Sequence, residues 1–236
     1  MWRASLEQPP AAVARLHALL AADERERAAA FHFARDRNRY IVGRGLLRSL
    51  LGGYAGRPPQ ELRFAYGAFG KPVLADAGPH FNLSHSGPLA LLAVSADTEI
   101  GVDIEVDHVD FAQERIAERF FSQEEVRVLR SLPKRHQPHA FMTCWTRKEA
   151  FIKARGDGLS LRLDSFDVSL APHAPAALLR TEWSADEPVQ WWLRDLSDSS
   201  RGYVAALAMR SAHRRVVSRD VEDGYAEQST SQKGVA

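Results

Sequence analysis

A single cysteine, Cys144, in 236 residues excludes an internal disulfide framework and makes a reducing compartment the default. No run approaches the roughly 20 consecutive apolar residues that a membrane-spanning helix needs. The opening residues, MWRASLEQPP, contain no apolar segment of the kind a secretory leader carries. An excess of charge of one sign is missing too. Lys and Arg number 31 and Asp and Glu 30, for a formal net charge of +1. No global field therefore advertises a nucleic acid or a membrane surface, and an ionic partner must be met by a local patch. No G-x-S-x-G elbow occurs, which argues against a serine-hydrolase triad. These absences leave a soluble, cytoplasmic protein, long enough for one large domain or two small ones.

What is present is ordinary globular chemistry, 45% apolar and 26% charged. Residues 11–30 have helical composition, with Val13, Leu16, Leu19 and Leu20 on one face. A second helix is expected over 36–51, ended by Gly52-Gly53. Alternation predicts strands at 62–66, 80–86, 89–95 and 99–106, with Gly87-Pro88 turning the chain between the second and third. Ser122 followed by Glu125 forms a capping box that starts a helix, and a longer helix is expected over 139–155. Further strands are expected at 166–170, 178–183, 189–194 and 203–209. Short strands joined by turns, with helices elsewhere, indicate an α+β protein with antiparallel sheet. From Ser211 onward apolar residues are sparse, and a mobile tail is expected.

Three stretches carry chemistry. In Ile100-Gly101-Val102-Asp103-Ile104-Glu105, strand alternation puts Val102, Ile104 and Val106 on one face. Gly101, Asp103, Glu105 and Asp107 fall on the other, expected to point away from the core. Aligned acids in a strand repel, so they either face water or share a hard cation such as Mg²⁺. The second stretch runs from Trp145 to Lys153. Phe141, Cys144, Trp145 and Ile152 form an apolar stripe, and Lys148 falls inside it. Such a lysine needs an anion or a route to solvent. Glu149 and Lys153, four residues apart, are either an ordinary surface pair or working groups. In the third stretch, Phe81-Asn82-Leu83-Ser84-His85-Ser86-Gly87, hydroxyls and an imidazole at a strand end are either a satisfied hairpin end or phosphate ligands. Cys144 reads as a core residue, and His136 and His139 as exposed loop residues.

Taken together, GKP at 70–72, FNLSHSG at 81–87, IGVDIE at 100–105 and WTRKEAFIKARGDGLSL at 145–161 are far more specific than any one of them. With ERERAAAFHFARD at 24–36 and FFSQEE at 120–125, their order and spacing resemble the 4′-phosphopantetheinyl transferases. The likeness is to the large pseudo-dimeric class typified by the surfactin-synthetase activating enzyme, and it covers about residues 20–210. It implies two similar α/β halves, each a small antiparallel sheet packed with helices, with the active site at their interface. Residues 1–102 would form the coenzyme A-binding half, 103–210 the metal and catalytic half, and 211–236 a flexible tail. The implied reaction moves 4′-phosphopantetheine from coenzyme A to a serine of an apo acyl or peptidyl carrier protein and releases adenosine 3′,5′-bisphosphate. By the same resemblance, Asp103, Glu105 and Glu149 are ligands of Mg²⁺, with Mn²⁺ as its substitute. Glu149, Lys153 and His85 are the catalytic candidates. Lys71, Ser84, His85 and Lys153 line the coenzyme A phosphates, and Arg27 meets the 3′-phosphate, with Arg39 and Arg44 as further basic candidates. Ala150 stands where some members have serine, which bears on carrier preference and not on the chemistry. A monomer is implied, since both halves of the site lie in one chain. Two rivals differ in kind. A coenzyme A-binding module would lack an acid or Lys153, and none is missing. A nucleotide pyrophosphohydrolase would hold a water where the carrier serine docks.

Overall fold

The computed structural model describes residues 1–106, 113–211 and 214–221. Its first half runs β1 (Trp2–Ser5), α1 (Pro10–Ala18), α2 (Ala22–Ala29), α3 (Ala34–Ala55), β2 (Phe64–Tyr66), β3 (Pro72–Leu74), β4 (His80–Ser86) and β5 (Leu89–Ser95). The second runs β6 (Ile100–Val106), α4 (Gln113–Phe120), α5 (Gln123–Ser131), α6 (Gln137–Arg155), β7 (Phe166–Val168), β8 (Leu178–Thr181), β9 (Trp192–Asp195) and β10 (Tyr203–Met209). A last short strand, β11 (Arg219–Asp220), follows.

The two halves repeat one plan. Each opens with a strand, passes through a long helix, makes a two-stranded hairpin and closes with two strands. The strands are ordered β1–β5–β4 in the first half and β6–β10–β9 in the second, antiparallel throughout. In both, the last strand sits between the first and the penultimate one. The expected α+β pseudo-dimer is therefore present, and the repeat lies in topology rather than in any visible sequence period. Both long helices, α3 and α6, stop at a left-handed glycine, Gly56 and Gly156.

Apolar side chains sort by element. Ile41, Val42 and Leu46 of α3 pack on Leu6, Leu16 and Leu20, while Leu47, Leu50 and Leu51 pack on Trp2, Phe81 and Leu92. Phe141, Cys144 and Phe151 of α6 pack on Phe166 and Leu193. A further core joins the halves: Leu91 and Ala93 of β5 meet Val102 and Ile104 of β6 and Leu207 of β10. Burying such surface stabilises by about 25 cal/mol per Å² removed from water.

The halves meet where the edge strand β4 runs beside the edge strand β6. No backbone ladder joins them; side chains of β4 do the pairing. Asn82 Oδ1 accepts the Val102 N–H at 2.9 Å and Ser86 Oγ accepts the Val106 N–H at 3.1 Å. These bonds satisfy buried donors of β6 that would otherwise be left without a partner.

Three expectations are modified. Residues 11–30 form two helices, because Glu24 folds back to accept the Ala21 N–H at 2.9 Å and starts α2 afresh. Part of the expected mobile tail is ordered: β11 pairs parallel to β1, with the Arg219 N–H on Met1 O and the Val221 N–H on Arg3 O. An open strand edge offers unpaired backbone groups to any passing segment, which composition does not reveal. The rest of the expected tail, 212–213 and 222–236, lies outside the described residues, as does Asp107. The third concerns the acids of β6 and is taken up next.

Candidate functional site

The face of β6 that carries the acids is covered by α6. At Gly101, a Cβ would lie 2.1 Å from Ala150 O and 2.3 Å from Ala154 N, so strand and helix touch backbone to backbone. Asp103, expected on an outward face, is consequently buried, at 3% exposure. Both faces of β6 are covered, one by β5 and its neighbours and the other by α6, so the strand has no solvated side there.

Asp103 Oδ1 accepts from Lys153 Nζ at 2.5 Å and from Ser84 Oγ at 2.9 Å. Its Oδ2 is buried with no hydrogen-bond partner. Burial pushes the Asp103 carboxyl above the usual carboxylate range, against the pull of Lys153 and Ser84. Glu105, half-buried, accepts from Ser86 Oγ at 2.7 Å. Burial raises it as well, and the charge of Asp103 adds to the rise. Glu149, on α6, is raised by burial and then by the charges of Asp103 and Glu105, which Lys153 only partly offsets. Three acids thus share one field with a single lysine in direct contact.

Among the described residues, no three His, Cys, Asp or Glu side chains close on one point as a ready-made metal cage. Mg²⁺ seldom uses such a cage; it takes one or two carboxylates, waters and substrate phosphates. The orphaned Oδ2 of Asp103 and the mutual repulsion of the acids fit a hard cation. The expected ligands Asp103, Glu105 and Glu149 are brought into one electrostatic neighbourhood.

Lys153 Nζ also reaches Ser84 Oγ at 3.0 Å, so Ser84 donates to the acid and accepts from the lysine. Strand alternation carries His85 to the other face of β4. There it lines a cavity of about 460 Å³ with Arg27, Arg39, Tyr40 and Arg44. Loss of water, then the positive charges of Lys153 and Arg39, pulls the His85 imidazole below its usual value, although part of the side chain is exposed. Arg27 is exposed, its guanidinium carbon 5.6 Å from the Tyr40 ring centroid. Arg39 pairs with Glu7 at 2.6 Å, yet its Nε is buried with no partner. Arg44 is tied to the buried carboxylate of Glu24, which also accepts from Arg48 Nε at 2.5 Å. Burial opposes ionisation of Glu24, but Arg48, the Ala21 N–H and Arg44 together hold it below the usual range.

Lys71 lies elsewhere. Its ammonium meets Glu99 at 2.6 Å, Ala154 O at 3.1 Å and Ile100 O at 3.3 Å. It lines a second cavity, about 270 Å³, with Asn82, Glu149 and Lys153. The expected phosphate contacts thus divide between two cavities, Lys71 and Lys153 in one and Arg27 and His85 in the other. Sequence reasoning missed Asn82, Glu99 and Glu24. The polar residues at 82, 84 and 86 repeat with period two, a signal that they share a strand face; Glu24 and Glu99 gave none.

Lys148 is a structural residue. It is 0% exposed and donates to Leu163 O at 2.7 Å and Phe166 O at 2.5 Å while pairing with Glu125 at 2.8 Å. Glu125 is the acid of the capping box at Ser122, and its other oxygen accepts the Val168 N–H at 2.8 Å. Lys148 thus clamps α6 to the start of α5 and to β7. Cys144 is buried, and burial raises its thiol. His136 and His139 are exposed, as expected, but His139 lies in the first turn of α6 rather than in a loop.

Residues 99–208 match the model of the 4′-phosphopantetheinyl transferase superfamily, and residues 1–97 match that of the 4′-phosphopantetheinyl transferase N-terminal region. The chain is 43% identical over 182 residues to 4′-phosphopantetheinyl transferase HetI of Nostoc sp., covering 75% of this chain and 76% of that protein. It is 37% identical to psf-1 of Bacillus pumilus over 73% of both chains. Identity to Sfp of Bacillus subtilis is 36%, over 66% of this chain and 69% of that protein. A repeated α+β plan, an acid-rich seam between its halves and matches that span both of them lead to one conclusion: the chain belongs to the 4′-phosphopantetheinyl transferase superfamily.

Proposed function

We propose that this enzyme transfers the 4′-phosphopantetheine of coenzyme A to a serine of an apo acyl or peptidyl carrier protein, in the presence of Mg²⁺, leaving adenosine 3′,5′-bisphosphate. One observation carries the reading: Asp103, buried at the seam of the halves, keeps an oxygen without a partner beside Lys153 and in the field of Glu105 and Glu149. That is a place where a cation could be held beside a diphosphate. Asp103, Glu105 and Glu149 would hold the Mg²⁺, which when bound neutralises pyrophosphate charge as a Lewis acid.

The remaining roles follow from position. The first half supplies coenzyme A contacts and the second the acids and Lys153. Arg27 and Arg39 offer positive charge to the 3′-phosphate, and the orphaned Nε of Arg39 supports an anion in that cavity. His85, on the same wall, donates a hydrogen bond to a phosphate oxygen, and a bound anion would raise its proton affinity against the desolvation that lowers it. Lys153, freed from Asp103, faces the charge that builds on the leaving phosphate. Glu149, positioned at the seam, takes the serine proton, and such help is worth about 10²–10⁴-fold. A monomer in a cytoplasmic setting fits, since one chain holds both sides of the seam and its one cysteine is a buried thiol. No helix among the described residues is long and apolar enough to cross a membrane.

The test is incubation with coenzyme A, Mg²⁺ and an apo carrier, followed by mass spectrometry of the carrier. A phosphopantetheine-sized gain on serine, matched by adenosine bisphosphate, is the expected result. Bisphosphate release with an unmodified carrier would overturn it in favour of hydrolysis.

A further inference from the structure

A third cavity, of about 300 Å³, lies away from the acids. Its floor is apolar and drawn from both halves: Trp2 of β1, Ala93 of β5, Ile100 of β6, and Leu207 and Met209 of β10. Ile100 lies on the face of β6 opposite Asp103, so one strand separates this cavity from the catalytic seam. The roof is the segment 214–221, which crosses from the second half back to β1. Its ion pairs hold it down, Arg3 to Asp220 at 2.6 Å and Arg214 to Asp97 at 3.1 Å.

The roof brings three arginines to the rim, Arg214, Arg215 and Arg219, against one lining carboxylate, Asp97. Asp97 is taken by Arg214. Arg219 lies over the Trp2 indole, 5.2 Å from its centroid. Neither Arg215 nor Arg219 has a carboxylate partner among the described residues. An apolar floor beneath guanidinium groups that lack a carboxylate partner among the described residues is complementary to a molecule with an apolar body and an anionic end. Guanidinium forks recognise carboxylates with two parallel hydrogen bonds, and the floor gains by shedding water onto an alkyl chain. The volume is at the lower end of the range for small-molecule sites.

We propose that this cavity is a second ligand site, for a medium-chain organic carboxylate, independent of the coenzyme A site. The alkyl chain lies on Ala93, Ile100, Leu207 and Met209, and the carboxylate meets Arg215 and Arg219.

Octanoate is the probe, titrated calorimetrically into the full chain with and without saturating coenzyme A. The expected result is one octanoate per chain, with affinity unchanged by coenzyme A. Octanol and acetate, each lacking one half of the recognition, are expected to bind at least about tenfold more weakly, as loss of roughly 1.4 kcal/mol implies. The double variant Arg215→Gln, Arg219→Gln should bring octanoate down to the level of octanol. Both positions are exposed and off the coenzyme A cavities, so carrier modification should be unchanged, which separates this site from the proposed reaction. The proposal is overturned by an absence of saturable binding, by displacement with coenzyme A, by octanol binding as tightly as octanoate, or by indifference to the double variant.

Discussion

Lys153 Nζ lies 2.5 Å from Asp103 Oδ1, while the other oxygen of that buried carboxylate has no partner. The lysine is thus an internal counter-cation, and on the proposed reading a metal would share Asp103 with it. Lys153→Met is expected to tighten Mn²⁺ binding, followed by electron paramagnetic resonance, because Asp103 loses its contacting cation and Glu105 and Glu149 lose a nearby positive charge. Turnover should fall by about 10²–10³-fold, the usual loss for a group that stabilises transition-state charge. Tighter turnover kinetics, or weaker Mn²⁺ binding, would contradict that placement.

Glu149 gives a signed pH dependence. Its carboxyl is raised in the folded protein, as are Asp103 and Glu105, so the native state binds more protons than the unfolded chain between the ordinary and the raised values. Stability in the absence of metal should therefore fall as pH climbs through that window, and these acids contribute least at neutral pH. Glu149→Gln removes one of the charges. Its Tm at pH 7 is expected to equal or exceed that of the parent, while transfer drops about 10²–10⁴-fold. A marked loss of Tm would mean that Glu149 holds the fold rather than works in the site.

Lys148 should behave in the opposite way. Its ammonium is wholly buried and satisfied by Glu125, Leu163 O and Phe166 O. Lys148→Met leaves Glu125 buried without its counter-charge, a change that costs about 3–5 kcal/mol in comparable sites. Urea denaturation should show the midpoint moving down by a corresponding amount. A midpoint within error of the parent would show that the pair carries little of the fold.

The contrast between Lys148 and Lys153 also marks what the sequence discloses. Both lie in one motif, and helical spacing places Lys148 in the apolar stripe. What it cannot supply is the distant acceptor: Glu125 and the carbonyls of 163 and 166 come from other elements. The capping box at Ser122, the long helix before Gly156 and the strands at 80–86, 89–95 and 203–209 are local signals and appear where expected. The seam is not local. That β4 lies beside β6 depends on the repeated topology, and only then do Ser84 and Asp103 meet. The same applies to β11, whose partner strand lies more than two hundred residues earlier. The buried face of Asp103 was hidden for a related reason, since alternation separates two faces without saying which one a helix will cover.

Gly101 tests that cover directly. A methyl group there would overlap Ala150 O and Ala154 N, both backbone atoms that cannot rotate away. Gly101→Ala is expected to destabilise by about 1–3 kcal/mol or more, the range for overpacking a filled core. Because β6 and α6 would be forced apart, Asp103 and Glu149 would separate, and activity should fall further than stability alone explains. Measuring transfer at a temperature where the variant is fully folded by circular dichroism isolates that component; full activity there would show that the spacing of strand and helix is not critical.

Arg27 and Arg39 share the larger cavity with His85, apart from the acids, and this separation predicts a kinetic split. The two arginines can bind coenzyme A without touching the atoms that react. Arg27→Ala should raise KM for coenzyme A by about 10–100-fold, the factor that corresponds to losing a charge-assisted hydrogen bond of roughly 1.5–3 kcal/mol. Because that contact is the same in ground and transition states, kcat at saturation should stay near the parent value. Arg39→Ala should do likewise and also release Glu7, an exposed partner whose loss costs little. Coenzyme A lacking its 3′-phosphate provides the internal check. If these arginines meet that phosphate, the parent enzyme loses affinity for the truncated substrate and the Arg27 variant loses almost nothing more. A collapse of kcat with unchanged KM in either variant would place the arginines at the reacting diphosphate instead, and would join the two cavities that the fold keeps apart.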